Sequence, residues 1–186
     1  HPMTIDLSNK TVLITGASKG IGASAAETLH RLGANVVLMA RGREALEALA
    51  GSLGGERTLV VAGDVCDYAA VKDAVDQAVA HFGGLDAVVN NAGVIDPVAR
   101  LEEADPTAWA KVVEINLMGV YNGMHAAFEP LRASGGTIIN ISSGAATNAL
   151  EGWSHYCATK AAVLSLTRSG HKEWGPLGIT VVGLSP

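Results

Sequence analysis

Short runs of apolar, mostly β-branched residues alternate with longer amphipathic stretches along almost the whole chain. Runs such as Thr11–Thr15 and Thr137–Ile141 carry hydrophobic residues at consecutive positions, which is typical of strands buried on both faces of a sheet. We predict strands over 11–15, 35–39, 58–62, 87–90, 137–141 and 179–184, and helices over 20–32, 43–53, 68–82, 155–174 and within 107–131. This alternation predicts an α/β fold with right-handed crossovers, in which helices cover both faces of a parallel, doubly wound sheet.

Composition sets bounds on this fold and on the kind of partner. The 186 residues fit a single domain, and 48% of them are hydrophobic against 17% charged, as a sheet buried on both faces requires. The formal net charge is −5 and the basic residues are scattered, so we expect no nucleic-acid partner. The longest uncharged run, 133–150, contains Gly, Ser, Thr and Asn throughout, so we expect no membrane span.

The ends of the chain and its cysteines carry little chemistry. His1 and Pro2 precede Met3 and look like a cloning remnant, and nothing after them resembles a signal peptide. Cys66 and Cys157 lack the spacing of metal ligands. We therefore predict two free thiols, no metal site and a cytoplasmic location.

A glycine-rich turn follows the first predicted strand and opens the first predicted helix. Its spacing is G-x-x-x-G-x-G, and its candidate binding residues are Gly16, Ser18, Lys19, Gly20, Ile21 and Gly22. Glycines let backbone N–H groups approach a pyrophosphate, and a helix N-terminus adds partial positive charge. We predict a dinucleotide site here; the alternative is a glycine-rich turn without a ligand.

Tyr156 and Lys160 lie four residues apart, so on a helix their side chains point from one face. A free phenol is a weak acid, and a nearby ammonium stabilises its phenolate form. The pair is therefore suited to proton transfer. Taken alone, it also fits an ordinary pair of neighbours on a helix surface.

Taken in order, these motifs resemble the short-chain dehydrogenases/reductases. The signature consists of T-G-x-x-x-G-I-G over 15–22, Asn-Asn-Ala-Gly over 90–93 after the fourth strand, and Tyr-x-x-x-Lys over 156–160. The resemblance extends from about residue 7 to residue 186. It implies a Rossmann fold and an enzyme that transfers a hydride between a nicotinamide dinucleotide and a carbonyl or secondary alcohol. The chain also looks similar to 3-oxoacyl-carrier-protein reductases and related ketoreductases.

The resemblance assigns roles to four residues. It makes Tyr156 the acid/base, while Lys160 supports the phenol and holds the nicotinamide ribose. Ser143, thirteen residues before Tyr156, would stabilise the substrate oxygen, with Ser142 the less favoured choice. Asn116 would distort the long helix and help to hold a proton-relay water. The alternatives are an ordinary strand-end hydroxyl for Ser143 and a polar residue at a packing turn for Asn116.

The expected cofactor preference follows from the end of the second strand. NAD-preferring relatives carry an acid where this chain has Ala40, which is followed by Arg41. Arg41 and Lys19 occupy positions where basic residues accompany NADP(H) in the family, because cations meet the 2′-phosphate, and Arg43 could add to this. We expect NADP(H) to be preferred over NAD(H), the alternative being solvated surface charges. The resemblance also places five residues around the adenosine: Asp64, Val65, Asn91, Ala92 and Gly93.

On the substrate side, the resemblance implies a pocket bordered by 144–155. Ala145, Leu150 and Trp153 would make that border apolar, and simple packing is an equal alternative for Trp153. Family members continue past the sixth strand into a substrate lid and a seventh strand, which this sequence lacks. We therefore expect a missing C-terminal part and an exposed apolar edge at the sixth strand.

Two further expectations concern assembly and activity. Family members usually form dimers or tetramers, which here implies contacts through 107–131 and 155–174. The missing lid leaves an alternative to the enzyme, namely a truncated or regulatory dinucleotide-binding module with little turnover.

One local feature also departs from a regular pattern, since Gly170 lies inside the last predicted helix.

Overall fold

Six strands, all parallel, form the sheet at the centre of the computed structural model, which describes residues 4–186. His1 and Pro2, interpreted above as a cloning remnant, lie outside these residues. The strands are β1 (Thr11–Thr15), β2 (Asn35–Ala40), β3 (Thr58–Ala62), β4 (Ala87–Asn90), β5 (Thr137–Ile141) and β6 (Thr180–Leu184). Their order is β3-β2-β1-β4-β5-β6, so the strand order reverses between β1 and β4. In such sheets ligands bind beyond the carboxyl ends of the strands at this reversal.

The helices connect successive strands, as the sequence predicts. They are α1 (Gly20–Arg31), α2 (Arg43–Ser52), α3 (Tyr68–Phe82), α4 (Pro106–Val113), α5 (Gly119–Ser134) and α6 (Ser154–Trp174). A π-helical segment, Glu114–Met118, joins α4 to α5, so the predicted long helix is continuous but irregular. Most predicted bounds agree to within one residue. The long helix begins at Pro106, where the Asp105 side chain caps it, and it differs at its other end, because it extends past residue 131 to Ser134.

Two hydrophobic clusters lie on opposite faces of the sheet, and β1 shows how the chain builds them. Leu13 points into a cluster that includes residues of α3, α5 and α6. Ile14 points to the other face, where it packs with Ala26 of α1 and Leu46 of α2. All five residues of β1 are buried, because both faces are covered. The parallel, doubly wound sheet expected from the strand pattern and the Rossmann fold implied by the resemblance are both confirmed, in a three-layer αβα arrangement.

Gly170 lies in the interior of α6 without breaking it, and its surroundings explain the small residue. A Cβ built there would lie 2.8 Å from Met124 Cε of α5 and 3.0 Å from Val181 Cγ1 of β6. The close packing of α6 on β6 and α5 therefore leaves no room for a side chain, which outweighs the low helix propensity of glycine.

The sixth strand lies at one edge of the sheet, as expected. Val182 and Leu184 are among its exposed apolar residues. Between residues 4 and 186, no helix has both the length and the hydropathy that a bilayer-spanning segment needs.

Candidate active site

The glycine-rich turn after β1 is packed tightly against neighbouring backbone. Gly16 and Gly20 have φ angles of 61° and 57°, in the left-handed region that favours glycine. A Cβ on Gly16 would lie 2.8 Å from Ala92 Cα, and one on Gly22 would lie 2.2 Å from the Gly16 oxygen. Around Gly20, by contrast, a Cβ would meet no atom within 4 Å. The turn is therefore closed towards the loop after β4 and open in front of α1.

The start of α1 has the properties of an anion site. Its N-cap residue, Lys19, makes no capping hydrogen bond through its side chain. The first N–H groups of the helix thus lack a side-chain partner at the end that carries the positive part of the helix dipole. A pyrophosphate fits a turn of this kind, because free N–H donors, an adjacent ammonium and an open glycine face it together.

Thr15, the last residue of β1, joins this turn to the loop after β4. Its hydroxyl oxygen accepts hydrogen bonds from the N–H groups of Asn91 at 3.0 Å and Ala92 at 3.1 Å. Asn91 Nδ2 in turn donates to the Gly16 oxygen at 3.1 Å. Thr15 was missed as a site residue, although a hydroxyl at the end of a buried strand, directly before the first motif glycine, was a usable signal.

A cavity of about 640 Å³ brings most of the expected catalytic residues together. It lies at the carboxyl ends of the central strands. Three expected catalytic residues line it, namely Ser143, Tyr156 and Lys160, together with Lys19, Ile21, Asn91 and Gly93 from the expected cofactor site. The separate sequence motifs therefore meet at one place in the fold.

Lys160 is buried beside Tyr156, on the same face of α6. Only 6% of Lys160 is exposed, and its Nζ donates to the Ile141 oxygen at 3.1 Å. The same Nζ lies 5.7 Å from the centre of the Tyr156 ring. Burial lowers the pKa of Lys160, because desolvation disfavours the ammonium. The ring of Trp153 packs edge-on against Tyr156, with 5.8 Å between the ring centres.

Ser143 is the second residue after β5, and its hydroxyl oxygen accepts a hydrogen bond from the Ala145 N–H at 3.1 Å. A hydroxyl that accepts from backbone still has its own proton to donate. Ser142 also lines the cavity, and its N–H donates to the Leu184 oxygen at 2.7 Å. Both serines therefore lie at the site, and Ser143 has the hydroxyl whose position the structure fixes by a hydrogen bond.

Asn116 lies in the π-helical segment and is completely buried. Its Nδ2 donates to the Val94 oxygen at 2.8 Å, and its Oδ1 accepts from the Val94 N–H at 2.8 Å. Nδ2 also lies 3.3 Å from Thr159 Oγ1, and that hydroxyl donates to the main-chain carbonyl oxygen of Tyr156 at 2.9 Å. Among the described residues, Ile115 lines the large cavity and Asn116 does not. Asn116 thus contacts the site through Val94 and Thr159.

A second cavity, of about 290 Å³, adjoins the first and shares Lys19 and Gly93 with it. It is lined by six more of the expected cofactor residues, namely Gly16, Ser18, Arg41, Asp64, Val65 and Ala92, whereas Gly20 and Gly22 line neither cavity. Asp64 Oδ1 accepts a hydrogen bond from the Cys66 N–H at 2.9 Å, which lowers the pKa of this carboxyl. Arg43 is not in this wall, because its guanidinium lies 3.4 Å from Glu47 on the surface of α2.

The substrate side differs from the expectation. Of 144–155, Gly144 lines the large cavity, whereas Ala145, Leu150 and Trp153 do not. Ala145 is buried, Trp153 packs on Tyr156, and Leu150 borders a different surface pocket. The apolar wall comes instead from the loop after β4 and from α4, through Val94, Ile95, Pro97 and Val112.

Comparison with known proteins relates this arrangement to characterised enzymes. Trans-4-hydroxycyclohexanecarboxylate dehydrogenase of Sinomonas cyclohexanicum is 39% identical, over 97% of this chain and 72% of that protein. D-threitol dehydrogenase of Mycolicibacterium smegmatis is 39% identical, over 97% of this chain and 70% of that protein.

Two solved structures are similar across almost the whole chain. The 3-ketoacyl-(acyl-carrier-protein) reductase of Brucella melitensis, complexed with NADH, has a TM-score of 0.93 and 33% identity, covering 97% of this chain and 76% of that one. A gluconate 5-dehydrogenase of Burkholderia cenocepacia, in complex with NADP and tartrate, has a TM-score of 0.91 and 35% identity. The match covers 98% of this chain and 72% of that one. The sequence model described as short chain dehydrogenase matches residues 10–186. This chain therefore belongs to the short-chain dehydrogenase family, whose members are oxidoreductases.

Proposed function

We propose that this chain transfers a hydride between NADP(H) and a carbonyl or secondary-alcohol substrate, with Tyr156 as the acid/base. The observation that carries the proposal is the shared cavity, in which Ser143, Tyr156 and Lys160 lie beside the glycine-rich turn. The relatives named above support an alcohol or ketone, because they are two dehydrogenases and a reductase named for hydroxyl-bearing or keto compounds.

Each side chain has one task in carbonyl reduction. The phenol of Tyr156 gives its proton to the carbonyl oxygen, and the Ser143 hydroxyl donates a hydrogen bond to the same oxygen. The Lys160 ammonium stabilises the phenolate that remains. When bound, the nicotinamide supplies the hydride to the carbonyl carbon. In alcohol oxidation the proton moves the other way, from the substrate hydroxyl to Tyr156.

The preference for NADP(H) rests on charge in the smaller cavity. Arg41 and Lys19 are exposed and line it, and Ala40 stands where an acid would repel a phosphate. A charge-assisted hydrogen bond contributes about 1.5–3 kcal/mol, which corresponds to a preference of about tenfold or more. The solved relatives include complexes with NADH and with NADP. The predicted preference for NADP(H) therefore rests on Arg41 and Lys19, and the relatives do not contribute to it.

A calorimetric titration with NADPH and NADH tests the cofactor assignment. We expect NADPH to bind more tightly than NADH, and Arg41→Ala to remove most of this difference. Arg43→Ala is the matched control, because Arg43 pairs with Glu47 outside the cavity. Equal affinity for both nucleotides, or equal effects of the two substitutions, would contradict the assignment.

A panel of ketones and alcohols, with NADPH or NADP⁺ as the second substrate, tests the reaction. Nucleotide oxidation that depends on a ketone supports the proposed enzyme. Tight nucleotide binding with no turnover across the panel would favour the regulatory module instead.

We also propose a homodimer or homotetramer that forms through α4, α5 and α6. Met118, the last residue of the π-helical segment, and Tyr121 of α5 are exposed residues of the kind that subunit contacts bury. Sedimentation velocity of the purified chain tests this, and a monomer at all concentrations would refute it.

A further inference from the structure

His155 precedes Tyr156 in the first turn of α6, and only 2% of it is exposed. Its Nε2 forms a hydrogen bond with the Ile95 oxygen. Ile95 belongs to the loop after β4, where it lines the large cavity. The ring therefore connects the helix that carries Tyr156 to the wall that faces Tyr156 across the cavity.

The partner of the ring shows which of its two nitrogens donates a hydrogen bond. A carbonyl oxygen only accepts, so Nε2 carries the proton. Nδ1 is buried and has no hydrogen-bond partner among residues 4–186. Nε2–H is thus the donor, and among residues 4–186 the hydrogen bonding of the ring is directed to the one carbonyl of Ile95. A buried polar ring with one unpaired nitrogen is unfavourable as core packing alone, which points to a role for the bond it does make.

Adjacent residues of this loop are held from two sides. Asn116 holds both backbone groups of Val94 from the π-helical segment. His155 holds the next residue, Ile95, from α6. The first turn of α6 is itself tied to α4, because Trp109 Nε1 donates to Ser154 Oγ at 3.0 Å. The loop is therefore fixed relative to Tyr156 by His155 and relative to the long helix by Asn116.

We propose that His155 is a positioning residue, which sets the distance between the apolar substrate wall at Ile95 and the Tyr156 phenol. The effect on catalysis rests on the proposed function, whereas the effect on the loop does not. Without the His155 N–H, the Ile95 oxygen loses its partner and the loop moves away from α6. A ketone then binds less well, while the nucleotide binds as before, because residues 91 and 92 of the same loop stay bonded to the Thr15 hydroxyl.

Hydrogen–deuterium exchange of the nucleotide-free chain tests the loop directly. His155→Phe keeps a ring and removes the donor, His155→Met fills the space with a flexible side chain, and His155→Gln restores an N–H donor. We expect amide exchange in 94–96 to increase about tenfold in the Phe and Met variants and to return towards wild type in the Gln variant. Unchanged exchange in whichever donor-free variant folds, or no recovery with Gln, would overturn the proposal.

Kinetics with NADPH and a ketone test the consequence for catalysis. In the donor-free variants we expect KM for the ketone to rise about fivefold or more, and the NADPH Kd to stay within about twofold. A parallel loss of nucleotide affinity would overturn the positioning role, because it would indicate general damage. If the wild-type chain reduces no ketone, the proposed function fails, and the exchange experiment still decides whether His155 fixes the loop.

Discussion

The side-chain amide of Asn116 forms two hydrogen bonds with the backbone of Val94, one in each direction and both at 2.8 Å. Asparagine in the middle of a helix competes with the helical backbone for hydrogen bonds. Here the amide reaches the loop after β4 instead, from a π-helical turn, and such turns are frequent at functional sites. The irregular turn thus connects the long helix to the wall of the large cavity.

Removing this amide should destabilise the fold. Asn116→Ala leaves the N–H and the carbonyl of Val94 without a side-chain partner, and each such loss costs about 1–3 kcal/mol. We expect the free energy of unfolding to fall by about 2–4 kcal/mol, as measured by urea denaturation. Asn116→Asp keeps the acceptor but sets a buried carboxylate oxygen against the Val94 carbonyl oxygen, so it should destabilise the fold at least as much as Asn116→Ala. An Ala variant as stable as wild type would show that the pairing contributes little.

Substitution of two glycines in the turn after β1 should be unfavourable for different reasons, steric contact at Gly22 and backbone conformation at Gly20. At Gly22, a Cβ would lie 2.2 Å from the Gly16 oxygen. At Gly20, a Cβ would meet nothing within 4 Å, and the cost is the left-handed φ of 57° alone. We expect Gly20→Ala to cost about 1–2 kcal/mol of folding stability and Gly22→Ala clearly more. Thermal unfolding without nucleotide measures both, and the reverse order would contradict the geometry.

Burial of Lys160 predicts how stability depends on pH. Its pKa is lowered from the ordinary 10.5, so the folded chain gives up this proton more readily than the unfolded chain. The unfolded state then binds more protons between the lowered pKa and 10.5, and in that window this group makes the free energy of unfolding rise with pH. Below the window, the cost of burying the ammonium is fully present.

Lys160→Met removes this titration and serves as the comparison. Urea denaturation of both chains over a series of alkaline pH values should show wild type gaining stability relative to the Met variant as pH increases towards 10.5. Parallel curves, or a relative loss of wild-type stability, would contradict the burial of a charged Lys160.

The Cys66 thiol should react slowly with alkylating reagents. Burial raises its pKa to about 11, with the Asp64 carboxylate adding to the effect. At pH 8 only about one molecule in a thousand then carries the reactive thiolate. We expect alkylation by iodoacetamide at Cys66 to be far slower than that of free cysteine, as followed by peptide mass spectrometry. A rate near that of free cysteine would show that this thiol is not buried as described.

The strands and the sequence motifs could be predicted because their signals are local. Thr137–Ile141 is a buried strand whose bounds follow from five consecutive residues, and the spacing of Tyr156 and Lys160 is one helical turn. The strand–turn–helix context likewise identified the glycine-rich turn. These features need no knowledge of distant contacts.

The walls of the cavity could not be predicted in the same way, because they depend on which distant segments meet. Trp153 packs on Tyr156 and does not line the cavity, whose apolar wall Ile95 and its neighbours supply instead. His155 and Thr15 likewise show their partners only in three dimensions, since those partners are 60 and about 76 residues away in sequence. Hydrophobic periodicity carries no information about such pairings.

The most direct test of the proposed chemistry is the rate of ketone reduction by Tyr156→Phe with NADPH. The substitution removes the phenolic proton and keeps the ring that packs against Trp153. We expect kcat/KM to fall by about 10²–10⁴, the usual contribution of a positioned acid, with NADPH affinity and thermal stability close to wild type. A folded variant that reduces ketones at near the wild-type rate would contradict the assignment of Tyr156 as the proton donor.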